Sequence, residues 1–260
     1  MYRLREDVVA RVGRPGTAGT AKREVEVADW LAASGLSVTR TVEGVTQPVV
    51  VDDRPVTWWR LLPEHRAATP AELGSVLRAL HAVPVPTSPR LPTSDPLAVL
   101  DELIVEAPWV DDEDRAWLVA HVADLRKRYR RSSLEEPRNV IHGDAWQDNV
   151  AVPAAGAPIL LDLEHVSIGH PDWDLIQLAV DYADFARIDE QEYRSFVHAY
   201  GGYDVTTTAG FRVLADIQEL RWTNYVIAKS ESNEAAGREV RHRIACLRGK
   251  VARPWTWTAF

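Results

Sequence analysis

The chain has 260 residues, 46% hydrophobic and 26% charged, with 30 basic against 38 acidic side chains and a net charge of −8. That composition is globular and long enough for one large domain or two unequal lobes. The acidity argues against nucleic-acid binding, because a phosphate backbone wants a basic face. One cysteine, Cys246, excludes an internal disulfide framework and a thiolate metal cluster. No apolar run approaches the roughly 20 residues of a membrane helix, and residues 1–7 are too charged for a signal peptide. No membrane partner and a cytoplasmic location are therefore expected.

In chain order, Val8–Val12 is a short β-branched run. Gly13-Arg14-Pro15-Gly16-Thr17 breaks it and, with Gly19, reads as an ordinary loop. Ala21 to Ala33 is rich in helix formers, and Ser34-Gly35 stops it. Gln47 to Val51 and Val56 to Leu62 flank the turn sequence Asp52-Asp53-Arg54-Pro55 and read as a hairpin. Pro63 to Pro70 reads as a lobe boundary, so residues 1–62 form a small strand-rich lobe and residues 63–260 a large helical one.

Ala71 to His81 carries Leu73, Val76, Leu77 and Leu80 at helical period. Prolines 84, 86, 89, 92 and 96 make a stiff connector. Helices follow at Leu97–Glu106 and Asp112–Arg131, the second with acids at its start and a basic run at its end, as the helix dipole favours. That basic run reads as a solvated helix end. Asn139–Ile141 and Ile159–Leu161 read as strands flanking a polar loop. The remainder is helical: Trp173 to Phe185, Glu190 to Tyr200, Ala209 to Lys229 and Asn233 to Lys250.

The polar unit carries the chemistry. It runs His142-Gly143-Asp144-Ala145-Trp146-Gln147-Asp148-Asn149 and is followed by Leu161-Asp162-Leu163-Glu164. Asp144 follows a strand and a glycine that permits a tight turn. Asp162 ends a wholly apolar strand, where a carboxylate is costly unless a cation or donors meet it. A carboxylate and an amide oxygen form a hard-oxygen set, which suits Mg²⁺ better than Zn²⁺. Asp144 is then free to accept a proton from a hydroxyl nucleophile. The Asp-to-Asn offset equals that of the protein-kinase catalytic loop. His142, His165 and His170 lie near Asp144, Asp162 and Asp172, but no H-E-x-x-H pair lies on a helix, so zinc is not expected.

On these residues the chain is similar to the aminoglycoside phosphotransferase family. Four pieces match in order: Leu73-Gly74 to Leu80-His81, His142 to Asn149, Leu161 to Glu164, and Gly169-His170-Pro171-Asp172-Trp173-Asp174-Leu175. The resemblance implies an α+β, two-lobe protein-kinase-like fold. It implies ATP and Mg²⁺ as cofactors and a small-molecule hydroxyl as acceptor.

It also implies roles. Asp144 is the catalytic base, His142 braces its loop, and Asp174 stiffens it. Asn149 and Asp162 hold the metal, with Glu164 as a weaker member. Arg11 reaches the α/β-phosphates and Glu24 pairs with it. Trp59, Arg60 and Leu61, with Leu62, form the hinge whose backbone contacts adenine. The family carries a strand, a nucleotide-covering turn and a second strand before the Arg11 position. Only ten residues precede Arg11, so Tyr2–Arg5 is expected as the second strand, with the first strand and its turn missing.

Trp146 is expected to wall the acceptor pocket, and Asp181, Asp184 and Glu231 are candidate acids for an amine-bearing substrate. The ten tryptophans leave room for an aromatic cage around a quaternary ammonium. The leading acceptor is an amine-bearing antibiotic of the aminoglycoside kind. The alternatives are a metabolic kinase for choline, homoserine or a sugar, and a non-catalytic nucleotide-binding protein.

Overall fold

The computed structural model describes residues 1–5, 7–100, 109–132, 134, 136, 139–230 and 233–260. It divides into two compact units. One comprises Met1–Thr93, Asn139–Ile168 and Ser195–Gly202; the other comprises Ser94–Arg138, Gly169–Arg194 and Tyr203–Phe260. The first unit thus takes in both the early strands and the polar loop.

The first unit is built on a four-stranded antiparallel sheet of order β1-β2-β4-β3, with β1 Tyr2–Arg5, β2 Val8–Val12, β3 Val49–Val51 and β4 Arg54–Arg60. In β4, Pro55, Thr57 and Trp59 are buried while Arg54 and Arg60 are exposed, the alternation of a half-buried strand. The β3–β4 turn places Asp52 and Asp53 at φ 47° and 62°. Two consecutive positive φ values are what a tight two-residue hairpin requires.

Helix α1 (Ala18–Ala33) buries Glu24, Val25, Val27, Ala28 and Leu31. It begins three residues before the expected Ala21. Helix α2 (Pro70–His81) opens on a reciprocal capping box between Thr69 and Glu72 and buries Leu73, Leu77 and Leu80.

A second sheet of order β5-β7-β8 joins β5 (His65–Ala67), β7 (Val150–Pro153) and β8 (Ile159–Leu160), and β6 (Asn139–Ile141) pairs with β9 (Ser167–Gly169). The sequence marks β6 and β8 but not β5, β7 or β9. Those three have three or four residues each, and β5 finds its partner more than eighty residues away, Ala67 opposite Ala151. No local periodicity can register such pairs.

The other unit is helical. Helix α3 (Asp112–Arg131) is capped by Asp111, whose side chain accepts from Asp114 N–H. Helices α4 (Asp172–Ala183), α6 (Phe211–Ser230) and α7 (Glu234–Leu247) complete its core, and α6 packs against the other three. Helix α5 (Glu190–Tyr200) contributes to both units. The expected helix at Leu97–Glu106 begins as a 3-10 turn at Ala98–Leu100, and residues 101–108 lie outside the described set.

Trp255 and Trp257 stack at 5.5 Å and meet Phe185 edge-on. Arg253 lies 3.9 Å over Trp255, Arg243 4.7 Å over Trp257, and Arg187 4.3 Å over Phe185. These ring faces are taken by the chain's own guanidinium groups, so the tryptophans pin the C-terminal tail and leave no cage there for a ligand cation. Among the described residues no helix is long and apolar enough to cross a membrane.

Gly74 shows why the L-G-x-x-L-x-x-L-H pattern needs its glycine. A Cβ there would stand 2.6 Å from the Phe196 carbonyl oxygen and 3.2 Å from the Tyr200 nitrogen on α5. Backbone cannot yield as a flexible side chain does. Gly74→Ala is expected to destabilise the protein by roughly 1–3 kcal/mol, the usual range for overpacking. Urea denaturation measures it, and an unchanged midpoint would refute the close approach.

Candidate active site

The site is assembled on the first unit. Strand β6 drives the chain inward, with Val140 and Ile141 fully buried. Its first residue is tied to α2, because Asn139 Nδ2 donates to the His81 carbonyl at 2.8 Å and His81 Nδ1 pairs with the Tyr200 hydroxyl at 2.8 Å. The loop then opens on His142, whose side chain has no solvent exposure.

Its Nε2 faces the Leu161 carbonyl at 2.8 Å, and its Nδ1 faces the Asp144 backbone N–H at 3.4 Å. A carbonyl only accepts and an amide N–H only donates. Nε2 therefore donates to the Leu161 carbonyl and Nδ1 accepts from the Asp144 amide. One buried ring thus joins the loop carrying Asp144 to the strand end carrying Asp162.

Gly143 has φ +85°, and a Cβ there would lie 2.5 Å from the His165 carbonyl oxygen. Glycine is needed both for the conformation and for the space. Asn149 is held from three sides. Its Nδ2 donates to the Asp144 carbonyl at 2.8 Å, its N–H to the Trp146 carbonyl at 3.0 Å, and its own carbonyl accepts from Leu161 N–H at 2.9 Å. With Nδ2 committed, Oδ1 is the atom left for a cation.

Asp162 adopts left-handed geometry, φ 51° and ψ 60°, and its side chain is 40% exposed. A non-glycine residue in that region stores about 1 kcal/mol or more, which points to a functional demand on its carboxylate. Asn149 and Asp162 together fit a hard divalent cation that completes its shell with waters and substrate phosphates. Among the described residues no group of three or more His, Cys, Asp or Glu side chains is placed to hold a metal.

Arg11 on β2 is the central cation. Its Nη1 meets Glu24 at 2.7 Å, and its Nη2 meets Glu164 at 3.2 Å and Asp162 at 3.8 Å. Burial pushes the Glu24 carboxyl up to about 7; the Arg11 guanidinium pulls it down, while Glu164 and Asp162 push it further up. A cavity of about 470 Å³ opens beside them. Val9, Trp59, Leu61, Leu62 and Leu161 make its apolar wall, and Arg11, Glu24, Arg60, Asn149 and Asp162 are its polar lining.

The expected hinge needs one correction. Trp59, Arg60 and Leu61 all line the cavity, but Arg60 N–H is taken by the Arg40 carbonyl at 2.7 Å and Leu61 N–H by the Asp7 carbonyl at 2.8 Å. The segment is tied to neighbouring chain, so those two N–H groups are not available to a base. Leu62 N–H has no partner among the described residues.

The remaining expected residues do not line this cavity. Trp146 is 41% exposed, two positions after Asp144. Asp174 is fully buried in the first turn of α4, in the other unit. Asp184 is buried and holds Arg212 at 2.8 Å and Arg253 at 2.6 Å, and Asp181 holds Arg187 at 2.7 Å. Both carboxylates are neutralised inside that unit, which corrects the expectation that they stand ready for a substrate amine. Glu231 lies outside the described residues. The sequence reading missed the Asn139–His81 tie and the Gly143–His165 contact, since both depend on a neighbour distant in sequence.

The Glu24 carboxyl sets a pH test. Its folded pKa, about 7, lies above its ordinary value of 4.5. The stability it contributes is complete below the ordinary value and is lost as pH rises through 7. Between pH 5 and pH 8.5 the unmodified chain should lose up to about 3 kcal/mol relative to Glu24→Gln. Urea denaturation at the two pH values measures this, and parallel profiles would contradict it.

The geometry agrees with what known proteins show. The profile of the phosphotransferase enzyme family matches residues 1–215. A search of curated proteins gives no match. Among solved structures, an amicoumacin kinase in complex with AMP-PNP and Ca²⁺ superposes with TM-score 0.71 at 12% identity, over 94% of this chain and 82% of that one. A choline kinase from Streptococcus pneumoniae gives TM-score 0.65 at 16% identity, over 94% and 86%. The GDP complex of an aminoglycoside 2'-phosphotransferase variant gives 0.63 at 16%, over 94% and 86%. Identities this low speak for the fold, which is the kinase-like one with an antiparallel N-terminal sheet and a helical C-terminal part. The family match goes further: the chain belongs to the phosphotransferase enzyme family and is a small-molecule phosphotransferase.

Proposed function

We propose that the chain moves the γ-phosphate of ATP to a hydroxyl of an amine-bearing small molecule, with Mg²⁺ as the metal. One observation carries this reading: Asn149 and Asp162 line the same cavity as the apolar wall of Val9, Trp59 and Leu161, and Asn149 is bonded to the backbone of Asp144. An apolar slot suits a base, and the oxygen pair suits the phosphate end. The solved relatives bound to AMP-PNP with Ca²⁺ and to GDP support nucleotide use. A cytoplasmic place of action fits the requirement for ATP.

Asn149 and Asp162 would hold the metal, with Glu164 beside them. Bound there, it would spread the charge of the phosphoryl group in flight. Arg11 supplies fixed positive charge for the phosphates, and Glu24 holds Arg11 in place. Asp144 takes the proton of the acceptor hydroxyl as its oxygen bonds to phosphorus and the bond to ADP breaks; the proton then passes to water. His142 keeps the Asp144 backbone in position. Trp146 offers an exposed ring for the acceptor to rest on.

An antibiotic of the aminoglycoside kind is the first acceptor to try, given the net charge of −8 and antibiotic kinases among the relatives of like fold. Choline and ethanolamine kinases also share the fold, which favours a metabolic amino alcohol as the second reading.

The test is ADP release in the presence of aminoglycosides, choline, ethanolamine, homoserine and sugars. Turnover on one of these should fall on the order of 10³-fold in Asp144→Ala and in Asp162→Ala. Retained turnover in Asp144→Ala would remove it as the base. No ADP release on any acceptor, with ATP still bound, would leave a nucleotide-binding protein instead.

A further inference from the structure

We infer that the β2–α1 turn carries a second ligand site, for a polyphosphate-class anion. A cavity of about 500 Å³ lies there, lined by Arg11, Arg14, Arg23, Thr17, Thr20 and His165 among others. That volume is in the range of small-molecule sites and exceeds what one phosphate needs. It adjoins the cavity described above, because Arg11 and Glu24 line both.

The charge balance singles the site out. Two carboxylates lie on its wall, Glu24 and Glu164, and both are directed at Arg11, at 2.7 and 3.2 Å. Neither the Arg14 nor the Arg23 side chain makes a hydrogen bond or ion pair among the described residues. Arg14 is exposed, but Arg23 is half-buried. The acids of this chain outnumber its bases, yet two guanidinium groups face one cavity without a counter-charge. A planar guanidinium matches phosphate oxygens with two parallel hydrogen bonds. The hydroxyl groups of Thr17 and Thr20 line the same space.

The turn is also held in shape. Gly13 N–H donates to the Pro55 carbonyl at 2.8 Å and Gly16 N–H to the Asp53 carbonyl at 3.1 Å, which ties it to the β3–β4 hairpin. A Cβ at Gly13 would meet Pro55 Cγ at 2.7 Å. The run from Gly13 to Gly19, read from sequence as an ordinary loop, thus presents its arginines from a fixed frame, and a fixed frame lowers the ordering that binding requires.

Phosphate of this kind has two sources: the tail of a nucleotide reaching across Arg11, or a separate polyphosphate. The site shares Arg11 with the proposed nucleotide site, but Arg14 and Arg23 line only this cavity, so a test on those two does not depend on the proposed reaction. Calorimetry with inorganic tripolyphosphate, without metal, tests it on the intact chain, unmodified and as the Arg14→Gln/Arg23→Gln double variant, with circular dichroism to check folding. Tripolyphosphate should bind at least about tenfold more weakly to the double variant, the effect of losing charge-assisted hydrogen bonds. Arg14→Lys/Arg23→Lys should recover part of the loss. If ATP weakens in parallel while adenosine does not, the nucleotide tail is the source. If tripolyphosphate still binds with ATP saturating, the anion is a separate one. Equal tripolyphosphate affinity in the double variant, or no binding to the unmodified chain at millimolar concentration, would overturn the site.

Discussion

The buried ring of His142 is the contact on which the proposed catalytic apparatus depends. It sits between the backbone at Asp144 and the backbone at Leu161, seventeen positions apart in sequence, and it bonds to both. A buried hydrogen bond contributes about 0.5–1.5 kcal/mol net, but an orphaned buried carbonyl costs about 1–3 kcal/mol. Without the ring, the Leu161 carbonyl would lose that partner just before the strained Asp162. The histidine therefore fixes where the strained residue falls relative to Asp144. Gly143 completes the arrangement by letting the loop come against the His165 carbonyl.

Electrostatics is organised around Arg11 in the same economical way. One guanidinium faces three carboxylates, Glu24, Asp162 and Glu164. Glu24 is buried and its carboxyl is correspondingly reluctant to ionise; the other two are a third to two-fifths exposed and face the cavities. That graded exposure separates roles. On the proposed reading, the buried acid orients the arginine, and the exposed acids remain open to a cation or to displacement by phosphate. Arg14 and Arg23 lie beyond this cluster and have no such partners among the described residues, which is why the neighbouring cavity is cationic in an acidic protein.

Much of this was legible in the sequence, and the reasons are local. Helix α2 carries an apolar period and α3 a charge gradient from acidic start to basic end, so their ends were read to within a residue. The turn at Asp52-Asp53 announced its hairpin. The loop residues Asp144, Asn149 and Asp162 were visible because polar groups of fixed spacing interrupt apolar strands. What stayed hidden depends on distance along the chain. Strands β5 and β9 exist only through partners far away, and β7 is a short link between β5 and the nearby β8. The hinge N–H groups were lost to Asp7 and Arg40, which no spacing rule connects to residues 60 and 61. Asp181 and Asp184 looked like free acids because Arg187, Arg212 and Arg253 meet them only in the folded unit.

The most direct measurement is calorimetric titration of the chain with ATP, with and without Mg²⁺. Binding that tightens markedly with Mg²⁺ and loses that dependence in Asp162→Ala is expected on the proposal that Asn149 and Asp162 share the metal with the nucleotide. Binding that is absent, or indifferent to both the metal and Asp162, would contradict the placement of the nucleotide and metal beside the His142 bridge.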